Sequence, residues 1–291
     1  MKLGVSTYSL SRAIRAGEMT PMDAIGAIAE MGGEHAEIVP IGFNLHENPE
    51  LIEAIRGKAA EVGIELSGYA VGANFADLDD EAFEREIERV KGEVDIARAL
   101  GVKRMRHDVA SSADRSMRNF LAQLPRLAEA CRRIADYAAP FGIVTSVENH
   151  GYFVQSSDRV QAVVDSVGRD NFRTTVDTGN FLCVDEDPVA AVRRNLPFAS
   201  MVHLKDFYVR PASFGPCEGW FPTAGGCWLR GAIVGHGDID VREVLRAIRQ
   251  SGYDGFVSIE FEGMEDCRTG VRLGLEYARK VWSELEERSA T

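Results

Sequence analysis

Four residues of this 291-residue chain could do chemistry together: Glu148, Asp177, His203 and Glu260 each close a short apolar run. Taken singly each is unremarkable, since an acid after a strand commonly caps a helix or sits in solvent. Four consecutive runs ending in Glu, Asp, His and Glu form a pattern. Three carboxylates and an imidazole brought together would repel one another unless a cation lay between them. An oxygen-rich set with one nitrogen suits a divalent ion that keeps open positions for water and substrate, Mn²⁺ first, with Mg²⁺ or Co²⁺ as alternatives. A structural zinc site would favour cysteines and further histidines.

The elements that must position these residues are legible as alternating segments. Apolar runs occur at Leu3–Thr7, Ala36–Pro40, Ile64–Val71, Val102–His107, Ile143–Glu148, Phe172–Asp177, Ser200–Leu204 and Gly255–Glu260. Most are rich in Val, Ile or Leu, as strands buried on both faces are. Between them lie helical spacings; in Ala82–Leu100, Phe83, Ile87, Val90, Val94 and Ala97 share one face. Gly63, Gly101, Gly142 and Gly252 fall where a left-handed residue would end a helix, and Thr20-Pro21-Met22-Asp23 reads as a helix start. Pro125 predicts that Met117–Ala139 is two helices or a kinked one. Eight strand–helix units ending in the helix Thr269–Glu287 imply one domain, a closed (β/α)8 TIM barrel over 1–291; a doubly wound open sheet is the alternative. One connection, Asp206 to Gly237, lacks periodicity but holds Phe207, Tyr208, Phe214, Trp220, Phe221 and Trp228. It is expected to be an ordered loop over the active-site face.

Barrel sites form at the C-terminal strand ends. Reading those ends adds Glu37 and His107 to the four residues above. Glu37 could bind a sugar hydroxyl or form a salt bridge; His107 is expected to contact a substrate hydroxyl. His150 shares the parity of Glu148 and is either a base or hydroxyl-binding group near the metal, or a loop histidine bonded to backbone. Glu262 shares the parity of Glu260 and is a rival ligand; Glu260 is preferred because it directly follows the apolar strand. Lys205 and Asp206 could position substrate, with an ion pair behind the ligands as the simpler expectation. His236 is expected in a structural turn.

Composition bounds the partners. With 45% hydrophobic residues and a net charge of −12, the chain can fill a large core and would repel a polyphosphate backbone. No G-x-x-x-x-G-K-[ST] or G-x-G-x-x-G motif occurs, so a phosphorylated substrate is not supported and an uncharged one is expected. Five cysteines without a C-x-x-C pair argue for a reducing compartment. The first residues read as a strand rather than a leader, so a cytoplasmic, non-membrane protein is expected, and a homo-oligomer.

The stretches Val147-Glu148-Asn149-His150, Val176-Asp177-Thr178-Gly179-Asn180, His203-Leu204-Lys205-Asp206 and Ser258-Ile259-Glu260 resemble the xylose-isomerase-like sugar isomerase/epimerase barrels, including ketose 3-epimerases of the tagatose epimerase type. The resemblance covers essentially the whole chain. It implies that Glu148, Asp177, His203 and Glu260 are metal ligands, and that Glu148 and Glu260 are a pair exchanging a proton on opposite faces of a sugar carbon. Many relatives place a histidine three residues after the aspartate; here Asn180 stands there, so it would donate a hydrogen bond to substrate or that contact moves elsewhere.

The expected activity is therefore a divalent-metal-dependent sugar isomerase or epimerase that removes a proton next to a metal-bound carbonyl, through an enediolate. The same first step also serves lyases that resemble this chain: dehydratases of inosose type, and catalytic subunits that cleave 3-oxo C-glycosides with a small β partner subunit. An abasic-site endonuclease of this fold would need several zinc ions and a basic face, which six histidines and net −12 argue against. A binding barrel without activity would not need four ligands at four strand ends.

Overall fold

The structure is a computed structural model that describes residues 1–287. Eight parallel strands close a barrel: β1 (Lys2–Ser6), β2 (His35–Ile38), β3 (Glu65–Val71), β4 (Arg104–His107), β5 (Val144–Glu148), β6 (Phe172–Asp177), β7 (Ala199–Leu204) and, after three strands outside it, β11 (Phe256–Ile259). Their order around the barrel is β1-β11-β7-β6-β5-β4-β3-β2, so each strand pairs with its neighbour in the chain apart from that insertion. This is the closed topology, not the open sheet. Helices follow the strands and bury one face each; in Asp80–Leu100, Phe83, Ile87, Val90, Val94 and Ala97 all pack into the core.

Helix ends obey their local chemistry. Thr20 and Asp23 form a reciprocal capping box with Pro21 in the first turn. Gly63, Gly101, Gly142 and Gly252 have φ between 65° and 78°, the left-handed conformation that glycine reaches without steric cost. Pro125 does not divide its segment: Met117–Ala138 is a single helix. Proline at 125 removes the helical donor for the carbonyl of Leu121, and Leu121 is an exposed residue, 58% accessible, where water can replace that donor. Where a loop was expected after β7, the chain forms a three-stranded antiparallel sheet, β8 (Asp206–Arg210), β9 (Phe221–Pro222) and β10 (Trp228–Ala232), with β10 in the middle. Alternation in this sheet buries Phe207 and Leu229 against Cys183 and leaves Tyr208, Arg210, Trp228 and Arg230 on the other face. The small sheet rests directly on the barrel: a Cβ at Gly231 would meet the carbonyl oxygen of Glu262 at 2.5 Å.

Inside the barrel, alternation decides which side chains reach the site. On β4, Arg104 and Arg106 point inward, Arg104 donating from Nε to the carbonyl of Ser200 across the barrel at 3.0 Å. Met105 and His107 point outward and are fully buried under the helices. His107, expected to contact a substrate hydroxyl, thus faces the helices and is not on the cavity wall. It packs edge-on to Phe75, and its Nδ1 lies 2.8 Å from the carbonyl oxygen of Asp108. The strand's last residue has the wrong parity, and its neighbour Arg106 has the right one.

Burial lowers the pKa of His107 from the ordinary 6.5 to about 4. The unfolded chain thus takes up a proton below pH 6.5 that the folded chain refuses until about pH 4, and folding stability falls as pH falls through that window. We expect His107→Gln to shallow the fall between pH 6.5 and 4, read as urea midpoints against pH; an unchanged slope would contradict the assignment.

Candidate metal centre

The four strand-end residues meet. One ligand atom from each of Glu148, Asp177, His203 and Glu260 lies within 4.8 Å of the other three, and all four side chains are buried. Glu148 and Asp177 are the last residues of β5 and β6, His203 is the penultimate residue of β7, and Glu260 directly follows β11. The inward-facing parity of four adjacent parallel strands aims them at one point.

His203 is the hub. Its Nδ1 lies 2.7 Å from Glu260 Oε2, 3.2 Å from Glu148 Oε1 and 4.0 Å from Asp177 Oδ2. On the ring's other side, Nε2 sits 2.8 Å from Glu37 Oε2. Glu37 is thus buried behind the imidazole and does not line the cavity, so the salt-bridge alternative describes it and the sugar-hydroxyl alternative does not. A carboxylate behind a ligating histidine fixes ring orientation and raises its basicity. Burial opposes a charge on His203, but Glu37 and Glu260 overcome it and push its pKa up to about 10.

Asp177 is held by its backbone: Asn149 donates to its carbonyl at 2.9 Å and accepts from its N–H at 2.9 Å. Its Oδ1 accepts the Asn180 N–H at 2.7 Å, which leaves Oδ2 buried without a hydrogen-bond partner. Burial and nearby Glu260 raise its pKa, against the pull of Lys205. A buried carboxylate oxygen without a donor, aimed at two further carboxylates, is where a cation would be stabilised. The donor set of three carboxylates and one imidazole fits a hard or borderline divalent ion.

Two cations flank the cluster. Lys205 Nζ reaches Glu260 at 2.8 Å and Asp177 and Glu262 at 3.4 Å each, and lies 3.3 Å from Asn180 Oδ1. Burial works against its charge, yet those carboxylates hold its pKa well above the ordinary value. Burial also opposes the charge of Glu260, but Lys205 and His203 keep its carboxyl well below the usual range. Arg106 grips Glu148 Oε2 and lies 3.3 Å from Asp108. Glu262 accepts from Tyr8 Oη at 3.3 Å and stays outside the four-residue cluster.

Asp206 does not pair with Lys205. It accepts four backbone N–H groups, from Phe207, Gly235, Gly237 and Ile239, and so folds the turn that returns the chain to the barrel wall. His236 is exposed in that turn. Above the cluster opens a cavity of about 540 Å³ whose wall includes His203, Glu260, Lys205, Asn180, His150 and Phe221. Of the inserted sheet, only Phe221 reaches this wall; Trp220 instead stacks on Phe214 with centroids 5.2 Å apart, and Trp228 is off the wall too. Sequence reasoning missed Arg106, Asp108 and Tyr152, all on the wall. The alternation Arg104-Met105-Arg106-His107 was the available signal for the first two.

This chain belongs to the xylose isomerase-like TIM barrel family, whose model matches residues 25–281. It is similar to an inosose dehydratase of Lacticaseibacillus casei, 28% identical over 138 residues, 47% of this chain and 46% of that protein. The match thus spans about half the length of that curated relative. Among solved structures it is similar to an L-ribulose 3-epimerase, with a TM-score of 0.76 and 16% identity over 99% of this chain and 97% of the other. It is also similar to a probable 3-DHS dehydratase of Bacillus anthracis, with a TM-score of 0.75 and 18% identity over 96% and 99% of the two chains. At such identities the structural likeness concerns the fold. Family membership and the shared fold make this a xylose isomerase-like TIM barrel.

Two variants separate ligands from support. Asp177→Ala should abolish stoichiometric Mn²⁺ binding in calorimetric titration while far-UV circular dichroism stays unchanged. Glu37→Gln keeps all four ligands and should weaken Mn²⁺ binding by roughly ten- to a hundredfold.

Proposed function

We propose that this enzyme isomerises an uncharged keto-sugar or keto-cyclitol by moving a proton between neighbouring carbons. The observation behind it is that His203 and Glu260 of the four-residue cluster share one cavity wall with His150. A divalent ion held by Glu148, Asp177, His203 and Glu260 would supply the positive charge that stabilises the substrate's developing oxyanion. His150 takes the proton from the carbon beside the carbonyl and returns it to the adjacent carbon. It is half exposed on the wall and outside the four-residue set, so it would not be occupied in holding the ion.

The charges of the wall favour a neutral substrate. Arg89 is matched by Glu86 and Glu93, Arg106 by Asp108 and Glu148, and Lys205 by Asp177, Glu260 and Glu262. A phosphate or carboxylate would have to displace an acid already in place. Hydroxyl groups would instead meet donors and acceptors of both kinds, such as Asn180, Gln155 and Lys205.

A single base favours isomerisation over epimerisation in this reading. A 3-epimerase needs a second base on the opposite face, and the two carboxylates that could serve, Glu148 and Glu260, are each bound to a cation, Arg106 and Lys205. Dehydration is the second reading: it shares the first step, Lys205 could protonate a departing hydroxyl, and the curated relative is an inosose dehydratase.

The Mn²⁺-loaded protein incubated in deuterated water with ketoses, inososes and 3-keto-glycosides should place one solvent deuteron on the carbon that receives the proton, or show a primary isotope effect with pre-deuterated substrate. His150→Gln should lower turnover by about 10²–10⁴ with full metal content. A competent substrate showing neither isotope signal would rule out proton abstraction, and a fully active His150→Gln would remove this base.

A further inference from the structure

We propose that Asp108 is a positioning residue that holds the His150 ring in one orientation and one tautomer, with Nδ1–H turned to the carboxylate and Nε2 left for the substrate proton. This rests on the reading of His150 as the base. Asp108 follows β4, shares the inward parity of Arg106, and lines the cavity. Its Oδ1 lies 3.2 Å from His150 Nδ1 and 3.3 Å from the Arg106 guanidinium. An ionised carboxylate only accepts hydrogen bonds, so a neutral imidazole facing it must carry its proton on Nδ1. Burial works against the charge on Asp108, but Arg106 and His150 keep its carboxyl below the usual range.

The backbone supports the same arrangement. His150 pairs with Val154 in an isolated antiparallel bridge, its N–H donating to that carbonyl at 3.3 Å. The turn between them passes through Gly151 and Tyr152 at φ 82° and 64°. A Cβ at Gly151 would stand 3.4 Å from the carbonyl oxygen of Ala110, so the turn carrying His150 packs closely on the segment carrying Asp108. Tyr152, strained in the left-handed region, is retained by its N–H to Gln155 Oε1 and by its hydroxyl to the Pro222 carbonyl at 2.8 Å. Half of the His150 side chain is exposed, and the hydrogen bond to Asp108 is what restrains its rotation about χ2 on the buried side. Arg106 joins this pair to the cluster, since it touches Asp108 and Glu148 together.

The test begins with the unaltered chain loaded with diamagnetic Mg²⁺ and labelled with ¹⁵N-histidine, at alkaline pH where an ordinary histidine is neutral. Long-range ¹H–¹⁵N spectra report the tautomer, and His150→Gln identifies the signal. We expect His150 protonated on Nδ1 in the parent and mixed or reversed in Asp108→Ala. Asp108→Ala should also lower kcat about 10- to 100-fold with KM changed less than about threefold, and should add no loss to His150→Gln. The Nε2–H form in the parent, or an unchanged spectrum in Asp108→Ala, would overturn the inference; the parent spectrum alone decides if that variant does not fold. Failure of the base reading has a different signature, turnover retained in His150→Gln.

Discussion

Everything at the mouth of this barrel is arranged around one electrostatic constraint: four buried carboxylates, Glu37, Glu148, Asp177 and Glu260, surround a single imidazole. Like charges at such separations in a low-dielectric interior cannot all persist without compensation. The protein answers with cations of its own, Arg106 against Glu148 and Lys205 between Asp177 and Glu260, and with a hub whose imidazole is stabilised in its charged form. What that compensation leaves over is Asp177 Oδ2, buried and without a hydrogen bond, its nearest cation the Lys205 ammonium 3.4 Å away. A divalent ion is the group whose arrival would relieve it. Binding there would draw on a repulsion already built into the fold, which is one reason a site so rich in acid can exist in a closed core.

The barrel makes this arrangement rigid at little cost. Parallel strands put every second side chain on the inside, and the closing helices leave no freedom for a strand to rotate. This is also why the candidate set was legible in the sequence: Glu148, Asp177, His203 and Glu260 each stand at the end of their strand or within one residue of it. The same rule failed at β4, where His107 ends the strand but faces the helices. Counting alternation, rather than taking the last residue, would have selected Arg106. Glu37 was found by position, yet its partner across the barrel, His203, belongs to a strand more than 160 residues away by sequence and cannot be read from local pattern.

The rest was not legible because it depends on loops. Nothing in Gly151-Tyr152 announces a left-handed turn at a non-glycine residue, and nothing in Asp108 announces a histidine 42 positions on. The segment after β7 read as irregular because its strands are short and its apolar residues serve two surfaces: Phe207 and Leu229 face the barrel loops, while Trp220 lies against Phe214 and the arginines Arg210 and Arg230. Asp206 was misread for a similar reason. Three of its four backbone partners come from a turn about 30 residues later, and only the folded chain brings them to it.

These two layers divide the chemistry. Strand ends hold the ion-binding set in a geometry that no loop can alter, so the stabilisation of an oxyanion belongs to the barrel. The proposed base and the far wall, His150, Asp108, Tyr152 and Phe221, come from connections that pack on one another: Gly151 against Ala110, and Tyr152 on Pro222. Where a proton goes after it leaves carbon is decided by what stands on each face of the substrate, and that is a property of the connections. Exchange of the loops over a constant ligand set would redirect one enolisation toward isomerisation, epimerisation or loss of water. Such a range of outcomes would require no change in the barrel, and on the reading proposed here the outcome would turn on the His150 ring beside Asp108, a carboxylate whose arginine partner also holds Glu148.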